Sequence, residues 1–124
     1  MPNMLSISAR FYPVRILALI RNEIDMDIVV ENKSSEVCWA ETAVFLPEEL
    51  SLSSEKKLAA GRLRVGIIPP NERATTRCKI YANSRTDPGI YKINLVGYAY
   101  DKNGIVLNKN ETKTELRCVR VGEK

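Results

Sequence analysis

Cys38, Cys78 and Cys118 are the residues of this chain best suited to nucleophilic or metal chemistry, but they stand 40 residues apart in each case. Zinc ribbons use close pairs, and no pair of that kind occurs. The chain has no histidine, and so no side chain that titrates near neutral pH as a general base or completes a His-based metal site. Carboxylates could act without one. Asp25 and Asp27, however, alternate with apolar residues, as on the solvated face of a strand. The serines and cysteines show no activating partner, and a catalytic site needs a nucleophile, a base and a group that orients the base. No catalytic residue, metal site or cofactor is therefore expected, and the chain reads as a non-enzyme.

Two further signals have plainer explanations. Asn32-Lys33-Ser34 and Asn110-Glu111-Thr112 match the glycan acceptor pattern, yet Asn32-Lys33-Ser34-Ser35 supplies the short polar side chains that hydrogen-bond their own backbone in turns. Asp101-Lys102-Asn103-Gly104 has the start of a calcium loop but no bidentate glutamate at the required offset, and a hairpin turn explains it. Pro69-Pro70 reads as a rigid corner between strands.

The elements that position these residues are strands. A length of 124 residues fits one domain, spanning 1–124, that buries a core without staples. With 44% apolar and 27% charged residues the composition is that of a globular protein, and no run approaches a membrane span. Ile16 to Ile20, flanked by Arg15 and Arg21, is strand-sized and too short for a secretory core. A cytoplasmic setting is expected, or an extracellular one if the chain is an excised module. In a reducing compartment the odd cysteine count implies three free thiols that pack as small hydrophobes.

Ile24, Met26, Ile28 and Val30 alternate with polar residues, and similar patterns recur to the end of the chain. Pro13 marks an edge strand that kinks or changes sheets, and Pro47 to Gly61 holds at most one helical turn. "RLRVGIIPPNERATTRCKIYA" and "DPGIYKINLVGYAYDKNGIVL" each read as strand, turn, strand. Together they predict an all-β, immunoglobulin-like antiparallel β-sandwich of about seven to nine strands, with Ile28, Val30, Val44, Leu46, Ile80, Tyr91, Ile93 and Leu95 in the core. The early proline, "DMDIVVEN", "VFLPEELSL", "IIPPNERATT" and "DPGIYKINLVGYAYDKNG" resemble the Ig-like modules of the CARDB and NPCBM-associated type. The resemblance implies a spacer, adhesion or carbohydrate-enzyme accessory role. It identifies no site residues.

Two surfaces stand out. Strand parity turns Trp39 and Phe45 to one face of an earlier strand and Val96, Tyr98 and Tyr100 to one face of a later one; in an Ig-like order these strands are neighbours, giving an aromatic interaction face. Ordinary cross-strand packing and a contact surface both account for it. Arg62, Arg64, Arg73, Arg77 and Lys79 share outward parity on what reads as a hairpin, a basic stripe that either solvates and guards an edge or holds an anion. The net charge of +4 permits an anionic partner without requiring one. The expected function is a non-enzymatic interaction or assembly module, self-associating or docking a protein through the aromatic face or an edge strand. The alternative is binding of carbohydrate or a cell-surface polymer. Nucleic-acid or other anion binding through the basic stripe is the weaker alternative.

Overall fold

The computed structural model describes residues 4–122. Eight strands, β1 (Leu5–Tyr12), β2 (Arg15–Leu17), β3 (Asn22–Asn32), β4 (Cys38–Phe45), β5 (Ala60–Ile68), β6 (Arg73–Ala82), β7 (Gly89–Tyr100) and β8 (Val106–Val119), form a sandwich with no α-helix among the described residues. One sheet has the order β1-β3-β6 and the other β2-β8-β7-β4-β5. Among the described residues no helix is long and apolar enough to cross a membrane.

Period-two patterning builds both sheets. Ile24, Met26, Ile28 and Val30 all turn inward from β3, and Tyr91, Ile93 and Leu95 do so from β7. The eight residues expected in the core are all buried. Pro13 acts as the sequence predicts: lacking an N–H, it ends the ladder of β1 with β3, and the chain resumes in the opposite sheet as β2, parallel to β8. Of the cysteines, Cys38 and Cys118 are buried in the five-stranded sheet and Cys78 is half-buried in the other, opposite Met26; all three are free.

The turns are tied by side chains. Asn32 is fully buried: its Nδ2 donates to the carbonyls of Glu36 at 2.7 Å and Ile68 at 2.9 Å, while its Oδ1 accepts from the Ser34 amide at 3.0 Å and the Ser34 hydroxyl at 2.7 Å. Every hydrogen-bonding position of the amide is filled, which is the structural content of the turn and leaves no free nitrogen for a glycan. The Asn110 Nδ2 likewise donates to the Leu5 carbonyl, bridging the two sheets. The Tyr91 hydroxyl donates to the Asp87 carbonyl at 2.6 Å, a tyrosine corner of the kind found where Ig-like chains enter the equivalent strand. At Asp101 the carboxylate accepts from the amides of Asn103 and Ile105, and Gly104 takes a φ of 81°, so the hairpin reading holds.

One expectation holds at its lower limit and one changes. Between Pro47 and Gly61 there is a β-turn, closed by the Leu50 amide on the Pro47 carbonyl, and no helix; Ser51 Oγ accepts from the Ser53 and Leu58 amides, and side-chain bonds of that kind compete with a helical ladder. The Pro69-Pro70-Asn71 turn, with Asn71 at a φ of 63°, does not close a hairpin. It carries the chain from one sheet to the other, so β5 and β6 belong to different sheets.

Candidate functional site

The outward face of the five-stranded sheet is organised by its register. Trp39 on β4 pairs with Ile67 on β5 and with Tyr100 on β7, and Tyr100 pairs with Val106 on β8. Paired residues point to the same side. The four side chains therefore form one apolar row across four strands at one end of the sheet, with Trp39 48%, Ile67 59% and Val106 53% exposed. Val37 and Ile105, at the chain entries to β4 and β8, extend exposed apolar surface at the same end.

A β-bulge creates part of this row. The register of β5 against β4 shifts between Ala40 and Glu41, where Gly66 takes a φ of 118°. The extra residue reverses the parity of β5, so that Arg62, Arg64 and Ile67 all face outward while Ile68 enters the core. A second shift, between Ala99 and Tyr100, brings Val106 opposite Tyr100. Ile67 and Val106 are the members of the row that parity counting misses, and the signal for Ile67 was the isolated glycine inside a strand pattern.

The next row is polar: Arg64, Glu41, Tyr98 and Lys109. Arg62 reaches over it. Its Nη1 lies 3.3 Å from Glu41 Oε2 and 3.5 Å from the Tyr100 hydroxyl, and its guanidinium carbon sits 4.7 Å from the centre of the Tyr98 ring. Tyr98 and Tyr100 stack with ring centres 6.2 Å apart. Desolvation acts against the Arg62 charge, but Tyr100, Tyr98 and Glu41 outweigh it and hold the pKa above its ordinary value. Arg62 is thus a clamp on the two tyrosines. Beyond it lies an open groove of about 610 Å³ lined by Trp39, Glu41, Arg64, Ile67, Tyr100 and Lys102, among others.

The expected aromatic face is therefore narrower than parity implies. Trp39, Tyr98 and Tyr100 come together. Val96 lies on the same face but is only 5% exposed, sunk at the sheet centre opposite Ala43 and between longer side chains, and offers no contact surface. Phe45 is exposed but lies six residues along β4 from Trp39, roughly 20 Å at a strand's rise, beyond the Arg62–Glu41 pair.

The basic stripe does not exist as one surface. Arg62 and Arg64 stand on β5 in the five-stranded sheet, and Arg73, Arg77 and Lys79 on β6 in the other. On β6 the cations meet the acids of β3. Arg77 binds both carboxylate oxygens of Asp27, one of them at 3.0 Å, and Lys79 lies 2.7 Å from Glu23 and 3.4 Å from Asp25. Hydrogen bonding by Arg77 holds Asp27 below the usual carboxylate range. Arg64 and Arg73 have no ion pair among the described residues.

No family model matches the chain, and no curated protein matches it in sequence. Solved structures do match in shape. The CARDB domain of a Pyrococcus furiosus protein, solved in complex with di-metal ions, is 14% identical, with 95% of this chain and 88% of that one covered at a TM-score of 0.55. A FixG-related protein from Vibrio parahaemolyticus is 15% identical over 94% of this chain and 98% of that one, with a TM-score of 0.51. AvmM, which catalyses macrocyclization in alchivemycin A biosynthesis, is 8% identical over 99% and 93% with a TM-score of 0.56. Among the described residues of this chain no three histidine, cysteine, aspartate or glutamate side chains are grouped to hold a metal. At these identities the likeness shows the fold: this chain has a CARDB-like, immunoglobulin-like β-sandwich.

Proposed function

We propose that this protein is a non-enzymatic interaction module that docks a protein partner on the outward face of its five-stranded sheet, at the end carrying Ile67, Trp39, Tyr100 and Val106. The observation that carries this reading is the cross-strand row itself. Four aligned apolar side chains, three of them about half exposed or more, form contiguous apolar surface of the kind that contact sites use. The edge of β5 is a poorer docking element. Its bulge and its outward Arg62 and Arg64 are devices that oppose strand addition.

Affinity capture with the wild-type chain and with a Trp39→Ser/Ile67→Ser variant tests the reading, with matching circular dichroism spectra as the control for folding. A partner held by the wild type and lost by the variant is expected. Equal retention by both would place the contact elsewhere. Carbohydrate binding is the second reading, favoured by the stacked Tyr98 and Tyr100 rings beside Trp39. A glycan array that lights up for the wild type and is silent for Trp39→Ser would select it.

A further inference from the structure

We infer that the partner segment received by this apolar row is rich in carboxylates: an extended acidic and apolar peptide segment, with its apolar side chains on Trp39 and Ile67 and its carboxylates on Arg64 and Lys102. The inference rests on the docking reading above and adds the chemistry of the partner.

The charges around the groove carry it. Of the two acids that line the groove, Glu41 is paired with Arg62, while Asp101 keeps its charge with its Oδ1 accepting from the amides of Asn103 and Ile105, so Arg62, Arg64 and Lys102 outnumber the carboxylates in the lining. Of the cations, Arg62 is held by Glu41, Tyr98 and Tyr100. Arg64 and Lys102 line the groove with no ion pair among the described residues, and Lys109 is exposed in the adjacent row opposite Tyr98. Glu36, the remaining exposed acid near the start of β4, does not line the groove. Unpaired cations beside an exposed apolar row select against basic partners and steer acidic ones.

The same charges weigh against other occupants. Two copies meeting through this end would bring two sets of unpaired cations together. A sugar polymer needs flat rings to stack on, whereas Ile67 and Val106, at the two ends of the row, are branched aliphatic side chains that such a ligand leaves wet.

Trp39 is the single tryptophan of the chain and stands in the groove, so its fluorescence reports occupancy without a label. Three probes are titrated into the purified full chain: a short capped peptide alternating leucine or phenylalanine with aspartate, its twin with lysine in place of aspartate, and oligogalacturonate. The aspartate peptide is expected to shift Trp39 emission saturably and to bind more weakly as salt is raised. Arg64→Glu/Lys102→Glu is expected to weaken it roughly tenfold or more and to favour the lysine twin. Arg64→Gln, which adds no repulsion, is expected to give a smaller loss in the same direction. Equal or tighter binding of the lysine peptide overturns the acidic partner and leaves the docking reading standing. Saturation by oligogalacturonate alone, or by no probe, overturns both. An emission shift with protein concentration alone, together with a doubled mass in light scattering, makes a second copy the occupant and also overturns the inference.

Discussion

At the scale of single residues, three side chains carry predictions. Asn32 joins the end of β3, the turn after it and the carbonyl of Ile68, so Asn32→Ala strands several buried partners at once. A loss of about 3 kcal/mol is expected from denaturant unfolding, the upper part of the range for orphaned buried polar groups. A loss within the noise would mean that water replaces the amide. Thr42 presents the opposite case: it is fully buried in β4, and its Oγ1 has no hydrogen-bond partner among the described residues. Thr42→Val keeps the shape and removes the orphan, so a gain of about 1 kcal/mol is expected, and a loss would reveal an unseen partner. Burial, with a smaller contribution from Asp25, pushes the Cys78 thiol up to about 11. Its acid form is the neutral one, so above a pH of about 9 the unfolded chain releases a proton that the folded chain keeps, and stability falls until the folded thiol also ionises near 11. Urea midpoints measured across that window should fall for the wild type and fall less for Cys78→Ala. Equal slopes would assign the alkaline loss to other groups.

At the scale of elements, the close approach of β1 to β7 depends on Gly97. A β-carbon there would run into Ile7 Cδ1 and lie 3.1 Å from Ile7 Cγ1 on the facing sheet. Gly97→Ala should cost about 1–2 kcal/mol by overpacking. Combined with Ile7→Val, which removes the colliding methyl, the double variant should lose less than the sum of the single ones. Strict additivity in the cycle would show that the sheets adjust without strain. Elements also mark how far the sequence could be read. Alternation in β3 and β7 places each buried face, because a one-residue slip would expose a whole apolar set. Pro13 announces the sheet switch because a missing donor is a local fact. The crossing between β5 and β6 is different. Pro-Pro-Asn makes the same local turn in a hairpin and in a crossover, and which strand lies alongside is decided by packing far along the chain. The bulge at Gly66 hides Ile67 for a related reason: it reverses parity midway through β5, so alternation counted from one end of the strand misplaces the other.

At the scale of the molecule, the two outward sheet faces differ in kind. Acids of β3 neutralise Arg77 and Lys79 on the three-stranded sheet, a solvated charge ladder whose pairs contribute little each. The five-stranded sheet instead ends in apolar side chains with no such cover among the described residues. Val96 and Phe45 show why strand parity alone overstated that surface: it gives the side of a sheet, while exposure depends on the heights of neighbours across three strands. What remains is a compact patch centred on Trp39, the proposed contact site. Site-specific photo-crosslinking tests it most directly, with a benzophenone side chain introduced at Ile67 in the apolar row or at Thr75 on the outward face of the other sheet. In extract of the source organism, the probe at Ile67 should give a discrete adduct that Trp39→Ser abolishes, and the probe at Thr75 should give none. No adduct at Ile67, or the same adduct from both positions, would contradict the assignment of this end of the sheet as the docking surface.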